Sequence, residues 1–268
     1  MTAPANSFVD INGLRTSLRR AGAGETVLYL HGGDGAGTWA PRMDTWPPFL
    51  DHLAERFEVI APEHPGFGET DLPDWLANIH DMAYFYLDLL DEMDLEGVHL
   101  IGQAVGGWIA LELALRSRQR LKSLTLVNSA GIHLKGITKG DMFMWTPDEV
   151  LRSMLHDQDL AGELLAREET QEEEDIRIRN RYALARIAWH PPFFDPHLEK
   201  WLHRIKLPTH IVWGEDNQMF PVDYAHALDR LITGARVTIL PECGHLAPIE
   251  KPEALAELVT GFVEEVGP

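Results

Sequence analysis

Residues 100–108 read LIGQAVGGW, and this stretch decides the fold. An apolar run at residues 98–101 ends at Gly102, and a helical pattern of apolar residues begins at Gly106. Only residues 103–105 lie between the two patterns, which is too short for an ordinary loop. The stretch therefore predicts a strand that passes through a tight turn directly into a helix.

Short apolar runs and helical patterns alternate along the rest of the chain. The runs are rich in β-branched residues and apolar throughout, as is typical of parallel strands that are covered on both faces. They lie at residues 26–30, 57–61, 98–101, 124–127, 210–213 and 237–240, and helical patterns occupy residues 79–93, 106–117 and 252–266. This order predicts an α/β fold, a mostly parallel sheet flanked by helices. In such sheets the functional groups gather beyond the carboxyl ends of the strands.

Residues 132–206 interrupt the alternation. They contain no convincing strand, and they carry the acidic run REETQEEED at residues 167–175. We interpret the segment as a helical insertion that forms a cap, or lid, over the site. The predicted division is therefore a core of residues 1–131 and 207–268 and a lid of residues 132–206.

Composition limits the classes of partner. The chain has 268 residues, of which 45% are hydrophobic and 24% charged, and its formal net charge is −19. The apolar fraction is too high for a disordered chain, and the length suits one large domain with an insertion. The acidic excess argues against nucleic-acid binding and against docking on anionic membranes, since both need a concentrated basic surface. We expect a small-molecule substrate as the partner, and the sequence leaves a homodimer open.

Cysteine and histidine usage points away from a metal or cofactor. Cys243 is the single cysteine, which excludes an internal disulfide and a multi-cysteine zinc site. The 13 histidines form no convincing metal cluster. No apolar run approaches the roughly 18 residues of a membrane-spanning helix, and the N-terminal residues lack a secretory signal. The sequence predicts a cytoplasmic protein without a cofactor or metal.

The segment Gly-Gln-Ala-Val-Gly at residues 102–106 resembles the nucleophile elbow of the α/β-hydrolase superfamily, Gly-x-Ser-x-Gly. Ala104 stands where that family carries serine. Other family motifs follow in order: HGGDGAG at residues 31–37 resembles the oxyanion loop, PGFGET at 65–70 a turn common in the family, WGEDN at 213–217 the acid turn, and CGH at 243–245 the histidine turn. The resemblance covers essentially the whole chain and implies an α/β-hydrolase fold with a helical cap.

By this resemblance, the catalytic positions are residues 104, 217 and 245. In the family a serine hydroxyl attacks, a histidine takes its proton and an acid holds the histidine. His245 is present, but Ala104 offers only a methyl group, so no covalent acyl intermediate can form there. The acid position, counted from Gly214, is Asn217; Asp216 is the alternative if the turn is rearranged.

The oxyanion hole uses backbone N–H groups, which side-chain losses leave intact. The resemblance assigns these groups to Gly33 and Val105. Asp34, in the same loop, is a candidate for contacting the substrate or for capping the loop. The further candidates for substrate binding are Trp108 in the elbow helix and Met144, Trp145 and Arg181 in the lid.

Arg181 resembles the lid arginine of meta-cleavage-product hydrolases, which cut carbon–carbon bonds in ring-opened aromatic acids. The cluster of Arg177, Arg179 and Arg181 either pairs with the acids at residues 172–175 or turns one member inward to hold a carboxylate. Those enzymes usually carry tryptophan directly after the catalytic histidine, where this chain has Leu246. An ester, a lactone and an activated carbon–carbon bond therefore all stay open as the bond that is cleaved.

Three explanations of Ala104 remain open. The first, which we favour, is a hydrolase with a Ser-His-acid mechanism whose serine has been replaced by alanine, so that it binds its substrate without turnover. The second is a serine-independent lyase, isomerase or cofactor-free oxygenase that uses His245 as a base. The third is a non-catalytic ligand-binding or sensor protein.

Overall fold

The computed structural model describes residue 4 and residues 6–33 and 46–267. Its eight-stranded sheet has the order β1-β2-β4-β3-β5-β6-β7-β8. The pairs β1/β2 and β2/β4 are antiparallel, and all the other neighbouring pairs are parallel. The predicted fold class is thereby confirmed. The strands are β1 (Ser7–Ile11), β2 (Leu14–Ala21), β3 (Thr26–Leu30), β4 (Glu58–Pro62), β5 (Val98–Gln103), β6 (Leu121–Val127), β7 (Thr209–Gly214) and β8 (Arg236–Leu240).

The antiparallel edge, β1 and β2, was not predicted from the sequence. The two strands are joined at Asn12 and Gly13, which have φ values of 50° and 84°. Asn-Gly is the dipeptide that a two-residue hairpin turn of this hand favours. The signal was therefore present in the sequence, but β2 carries several arginines and lacks the continuous apolar run by which the other strands were found.

Successive residues of the central strands face opposite sides of the sheet. Val27 and Tyr29 belong to one apolar cluster, and Leu28 and Leu30 belong to the other. This period of two on a strand that is buried on both faces explains why its sequence is apolar throughout.

Helices cover both faces. α2 and α3 pack against each other, and α1 packs against α9. The helices are α1 (Phe49–Leu53), α2 (Ile79–Glu92), α3 (Ala104–Arg116), α4 (Pro147–Met154), α5 (Gln158–Ala166), α6 (Gln171–Ala188), α7 (Asp223–Leu231), α8 (Ala247–Glu250) and α9 (Pro252–Val266), with a 3-10 helix at Glu199–Arg204. Within the described residues, no helix is long and apolar enough to cross a membrane.

The insertion, residues 132–206, lies between β6 and β7 in the sequence. It holds α4, α5, α6 and the 3-10 helix, and none of the named strands falls in this fully described range. Thr146 and Glu149 form a capping box at the start of α4, as do Thr170 and Glu173 at the start of α6. Part of the acidic run thus lies in the first turn of α6, where negative charge is favourable. The proposed boundaries at residues 131/132 and 206/207 stay a prediction.

Candidate active site

The turn between β5 and α3 has the geometry of an elbow. Ala104, the first residue of α3, has a φ of 48° and is 3% exposed. A non-glycine residue in this region costs roughly 1–3 kcal/mol and persists only where the surroundings impose it. A Cβ added at Gly106 would lie 2.1 Å from the carbonyl oxygen of Leu30. The elbow is therefore kept, strain included, although the residue at its apex carries no reactive group.

Gly33 ends the described part of the predicted oxyanion loop. A Cβ added at Gly33 would lie 2.6 Å from Cδ1 of Leu184, on α6 of the insertion. A side chain at residue 33 would therefore require the Leu184 side chain to move. Asp34, the substrate-binding candidate next to it, lies outside the described residues. The Val105 N–H belongs to the first turn of α3, where backbone N–H groups have no partner within the helix.

A buried polar cluster anchors the start of this loop. The His64 backbone N–H donates to Nε2 of His31 (3.1 Å), and the His64 side chain donates from Nε2 to the His31 carbonyl oxygen (2.8 Å). Nδ1 of His64 is then the acceptor for the Tyr86 hydroxyl at 2.5 Å. Burial is the main reason that the pKa of His64 lies well below its ordinary value, and the neighbouring His31 is the second reason. His64 therefore stays neutral and holds the loop in place.

The histidine turn lies between β8 and α8, and His245 is 1% exposed. The Phe220 ring is 5.5 Å from the His245 ring, centroid to centroid. Cys243 lies in the same turn. Burial is the main reason that the pKa of its thiol is raised to about 12, and the negative charge of Glu250 is the second reason. Since the thiolate is the nucleophilic form, Cys243 does not replace the missing serine hydroxyl.

Asn128, which the sequence analysis missed, joins the histidine turn to the acid turn. Its side chain accepts a hydrogen bond from the Gly214 N–H (2.9 Å) and donates to the carbonyl oxygens of His245 (2.8 Å) and Gly244 (3.3 Å). Asn128 is fully buried and has a φ of 49°, a conformation that asparagine tolerates better than most residues. An asparagine directly after a predicted strand is a weak signal that could have pointed to it.

The insertion is hydrogen-bonded to the histidine turn. The carbonyl oxygen of Met154, at the end of α4, accepts from the N–H groups of His245 (2.7 Å) and Leu246 (3.2 Å). The Glu250 carboxylate accepts from Gly244 N–H (2.7 Å) and from the N–H groups of residues 156 and 157 (2.7 and 2.9 Å). Glu250 thus binds the histidine turn and the insertion at once.

The two candidates for the acid point to different places. Asn217 is 3% exposed, and its Oδ1 accepts the Phe220 N–H at 3.0 Å. Asp216 has a side chain that is 47% exposed, and its Oδ2 lies 2.6 Å from Nδ1 of His156 in the insertion. Of the two, Asn217 is the residue that shares a buried contact with His245, through Phe220.

An aromatic row extends from His245 into the insertion. Phe220 contacts Phe193 with a centroid distance of 6.1 Å, and Phe193 stacks on Phe143 at 5.1 Å. Trp145 is partly buried against the core, but Met144 is 76% exposed, so its position does not suit the pocket-lining role predicted for it. Trp108, the substrate-binding candidate in the elbow helix, is buried.

The three arginines of α6, Arg177, Arg179 and Arg181, differ in their partners. Arg177 is paired with Glu169 at 3.0 Å, and Arg179 donates to the Gly68 carbonyl oxygen. Arg181 is half-buried and makes no hydrogen bond or ion pair within the part of the chain that the structure describes. It lies one turn before Leu184, the residue whose side chain contacts Gly33. Of the cluster, Arg181 is the member that remains available to a ligand.

A second group of titratable side chains lies on α2, α3 and the loop after α6. His80 is 3.4 Å from a Glu112 carboxylate oxygen and 3.5 Å from an Asp195 oxygen, and the possible ligand atoms all lie within 4.8 Å of one another. Arg116 forms a close ion pair with the same Glu112 oxygen. Because the guanidinium already supplies the positive charge, we interpret the group as an ion-pair network.

The comparisons with known proteins agree with this geometry. The profile of the family described as alpha/beta hydrolase fold matches residues 25–252. The chain belongs to the α/β-hydrolase family. One relative is the 2-hydroxy-6-oxo-6-(2'-aminophenyl)hexa-2,4-dienoic acid hydrolase of Metapseudomonas resinovorans. It is 29% identical to this α/β-hydrolase, and the match covers 98% of this chain and 92% of that relative. A second relative is the 2-hydroxymuconate semialdehyde hydrolase of Pseudomonas sp. strain CF600. It is 29% identical to this chain, and the match covers 99% of this chain and 98% of that relative.

A solved structure supports the fold. The 2-hydroxy-6-oxo-6-phenylhexa-2,4-dienoate hydrolase of Rhodococcus sp. strain RHA1 superposes with a TM-score of 0.77 at 21% identity, covering 98% of this chain and all of that one. The prediction of an enzyme of the α/β-hydrolase family is confirmed by these relatives. The inactivity expected from Ala104, and the roles of the individual site residues, stay predictions.

Proposed function

We propose that this α/β-hydrolase has the site of an enzyme that hydrolyses a small, largely apolar substrate, and that with Ala104 it binds this substrate without turnover. The observation that carries the proposal is the left-handed φ of 48° at Ala104 in a complete elbow. This backbone would present a serine hydroxyl for attack, whereas a methyl group forms no acyl intermediate. Gly33 and Val105 would supply the oxyanion donors, and His245 would carry the proton.

Among the three open bond types, we favour the activated carbon–carbon bond of a ring-opened aromatic carboxylic acid. Arg181 offers a half-buried guanidinium to the carboxylate, while its neighbours Arg177 and Arg179 are engaged. The aromatic row of Phe143, Phe193 and Phe220 offers an apolar surface that reaches His245. The two named relatives act on acids or semialdehydes of this chemical type. The insertion would then act as the lid over this pocket.

The test is binding and turnover of 2-hydroxy-6-oxo-6-phenylhexa-2,4-dienoate. We expect the unaltered protein to bind it in calorimetry without forming product. Arg181→Met should weaken binding about 10- to 100-fold, the value of a charge-assisted hydrogen bond. Arg177→Met, which removes a guanidinium already paired with Glu169, is the matched control and should leave binding unchanged.

Turnover should return when both missing groups are restored, in Ala104→Ser/Asn217→Asp. The proposal fails if the double variant cleaves neither this acid nor activated esters and lactones, or if the unaltered protein does not bind the acid. One observation favours a serine-independent enzyme as the second candidate: the acid position also lacks a carboxylate, so replacement of the serine alone does not account for the site. That candidate predicts turnover by the unaltered protein that disappears in His245→Ala.

A further inference from the structure

The outer face of α6 carries large apolar side chains. Ile178 and Tyr182 lie one turn apart on this helix, and their exposed fractions are 55% and 58%. Trp189, at the C-cap two turns beyond Tyr182, is 53% exposed. Residues at these spacings share one side of a helix, so the three side chains form one row. We call this row, Ile178, Tyr182 and Trp189, the α6 stripe.

The opposite face of α6 holds the helix on the rest of the molecule. Oδ1 of Asn180 accepts a hydrogen bond from the Gly68 N–H at 2.8 Å. Ile176, Asn180, Leu184 and Ile187 are buried. These contacts fix the orientation of the helix, and the described part of the chain leaves the α6 stripe exposed. Apolar side chains that are grouped on the surface in this way mark an interaction surface.

The charges of α6 are divided between its two ends. Residues 172–175 are all acidic, whereas every residue from 176 to 188 that carries a formal charge is an arginine. Asp175 is exposed and lies one turn before Ile178, and Arg186 lies one turn after Tyr182. Asp175 and Arg186 are separated by almost three full turns, so they border the α6 stripe on the same side. Antiparallel packing of two α6 helices therefore sets the acidic end of each against arginine, whereas parallel packing sets acid against acid.

Both charged side chains can reach a partner outside the chain. Asp175 accepts a hydrogen bond from Gln171 on its own helix at 3.2 Å. Arg186 donates from Nη2 to the Asp74 carbonyl oxygen at 3.0 Å. A guanidinium has five N–H donors, so this one bond leaves donors of Arg186 for a carboxylate.

We propose that the α6 stripe binds a second copy of this chain, with the two α6 helices antiparallel about a two-fold axis. An axis that passes beside residue 180 places Ile178 opposite Tyr182 of the second copy. The same register places Asp175 opposite Arg186 of the second copy. By symmetry each contact occurs twice, and this self-complementarity is what a symmetric dimer requires of its interface.

The dimer should be weak, because one pair of helices forms a small interface. α6 has 18 residues and is therefore about 27 Å long. Interfaces that bury less than about 1,200 Å² are typical of weak association, so we expect a Kd of about 1–100 μM. Leu184, which contacts Gly33, lies on the same helix. The dimer therefore restrains the insertion beside the predicted oxyanion loop, whatever reaction the site supports.

Sedimentation equilibrium of the full chain, up to about 500 μM, tests the proposal. We expect a monomer–dimer equilibrium, and Ile178→Lys/Tyr182→Lys should weaken it at least about tenfold because positive charges then meet across the axis. Trp201→Lys is the matched control: Trp201 is 49% exposed on the 3-10 helix, and its replacement should leave the Kd unchanged. A monomer at every concentration overturns the proposal, as does a dimer that the double variant leaves intact. A monomer that instead binds neutral phosphatidylcholine vesicles assigns the stripe to a membrane and overturns it too.

A charge exchange tests the antiparallel register. Asp175→Arg should weaken the dimer up to about tenfold, since two exposed ion pairs become repulsive, and Asp175→Arg/Arg186→Asp should restore it. Glu163→Arg makes the same change of charge at an exposed residue of α5 and is the control for net charge. The register is wrong if Asp175→Arg and Glu163→Arg have equal effects, or if the exchange restores nothing. Urea unfolding of each variant verifies that the chain is folded.

Discussion

Asp216 Oδ2 lies 2.6 Å from His156 Nδ1, so the carboxylate of the acid turn is paired with the insertion and not with the buried His245. Both partners are more than two-fifths exposed. Ion pairs of this exposure contribute little to stability, about 1 kcal/mol at most. Proximity in sequence to the acid position thus does not make Asp216 the acid.

The first prediction concerns this pair. In Ala104→Ser/Asn217→Asp, the additional change Asp216→Asn should alter kcat less than threefold, because the Asp216 carboxylate does not touch the catalytic groups. Steady-state kinetics would measure this, with His156→Gln as the matched change on the other side of the pair. A hundredfold loss in Asp216→Asn would show that Asp216 supports His245 after all.

Gly106→Ala should destabilise the protein by about 3 kcal/mol or more, since the new methyl group would overlap the backbone of β3 at Leu30. Urea unfolding would measure the free-energy change. Gly261→Ala is the control: it lies on the exposed side of α9 with open space around it, so alanine should stabilise the helix by about 0.5–1 kcal/mol. Equal effects at the two positions would contradict the close packing of the elbow.

Asn128→Asp should cost about 2–4 kcal/mol of unfolding free energy. The aspartate still accepts from Gly214 N–H, but it loses the donor to the carbonyl oxygens of Gly244 and His245 and sets a buried charge against them. Asn78→Asp, the same change at the exposed N-cap of α2, should have almost no effect because both residues cap well. If Asn128→Asp leaves the free energy of unfolding unchanged, Asn128 does not hold the histidine turn in position.

The last prediction concerns pH. Burial is the main reason that the pKa of His210 is lowered to about 4, and the positive charge of the nearby Arg236 is the second reason. Between pH 6.5 and pH 4 the unfolded chain then binds a proton that the folded protein does not, so stability falls as the pH falls through this range. Compared with His210→Gln, the unaltered protein should lose up to about 3 kcal/mol more over this interval. His226→Gln, at an exposed histidine, should follow the unaltered protein; identical curves for all three proteins would contradict the lowered pKa of His210.

The parts of the fold that are local in sequence could be predicted. The strand, turn and helix around Ala104 depend on neighbouring residues, and the apolar strands are a direct consequence of burial on both faces of the sheet. β2 was missed because its arginines leave it without the continuous apolar run by which the other strands were found. The order of the strands in the sheet, by contrast, is a tertiary property that no single run reveals.

The site was predicted only where its residues follow the ends of strands. Asn128 takes its importance from contacts with Gly214 and with the histidine turn, which lie 86 and 117 residues away. The row of Phe143, Phe193 and Phe220 likewise joins three separate segments. The side chain of Met144 is exposed beside these phenylalanines because one face of an irregular segment can pack inward, and no periodic pattern marks which face that is.

The hydrogen bonds of Met154 and Glu250 couple the insertion mechanically to the histidine turn. Four hydrogen bonds join residues 154–157 to the backbone of residues 245 and 246 and to the Glu250 carboxylate. Swinging α4 away from the sheet would break them and displace the imidazole from its place beside Phe220. If the insertion opens as a lid, that movement would therefore also change the position of the His245 side chain.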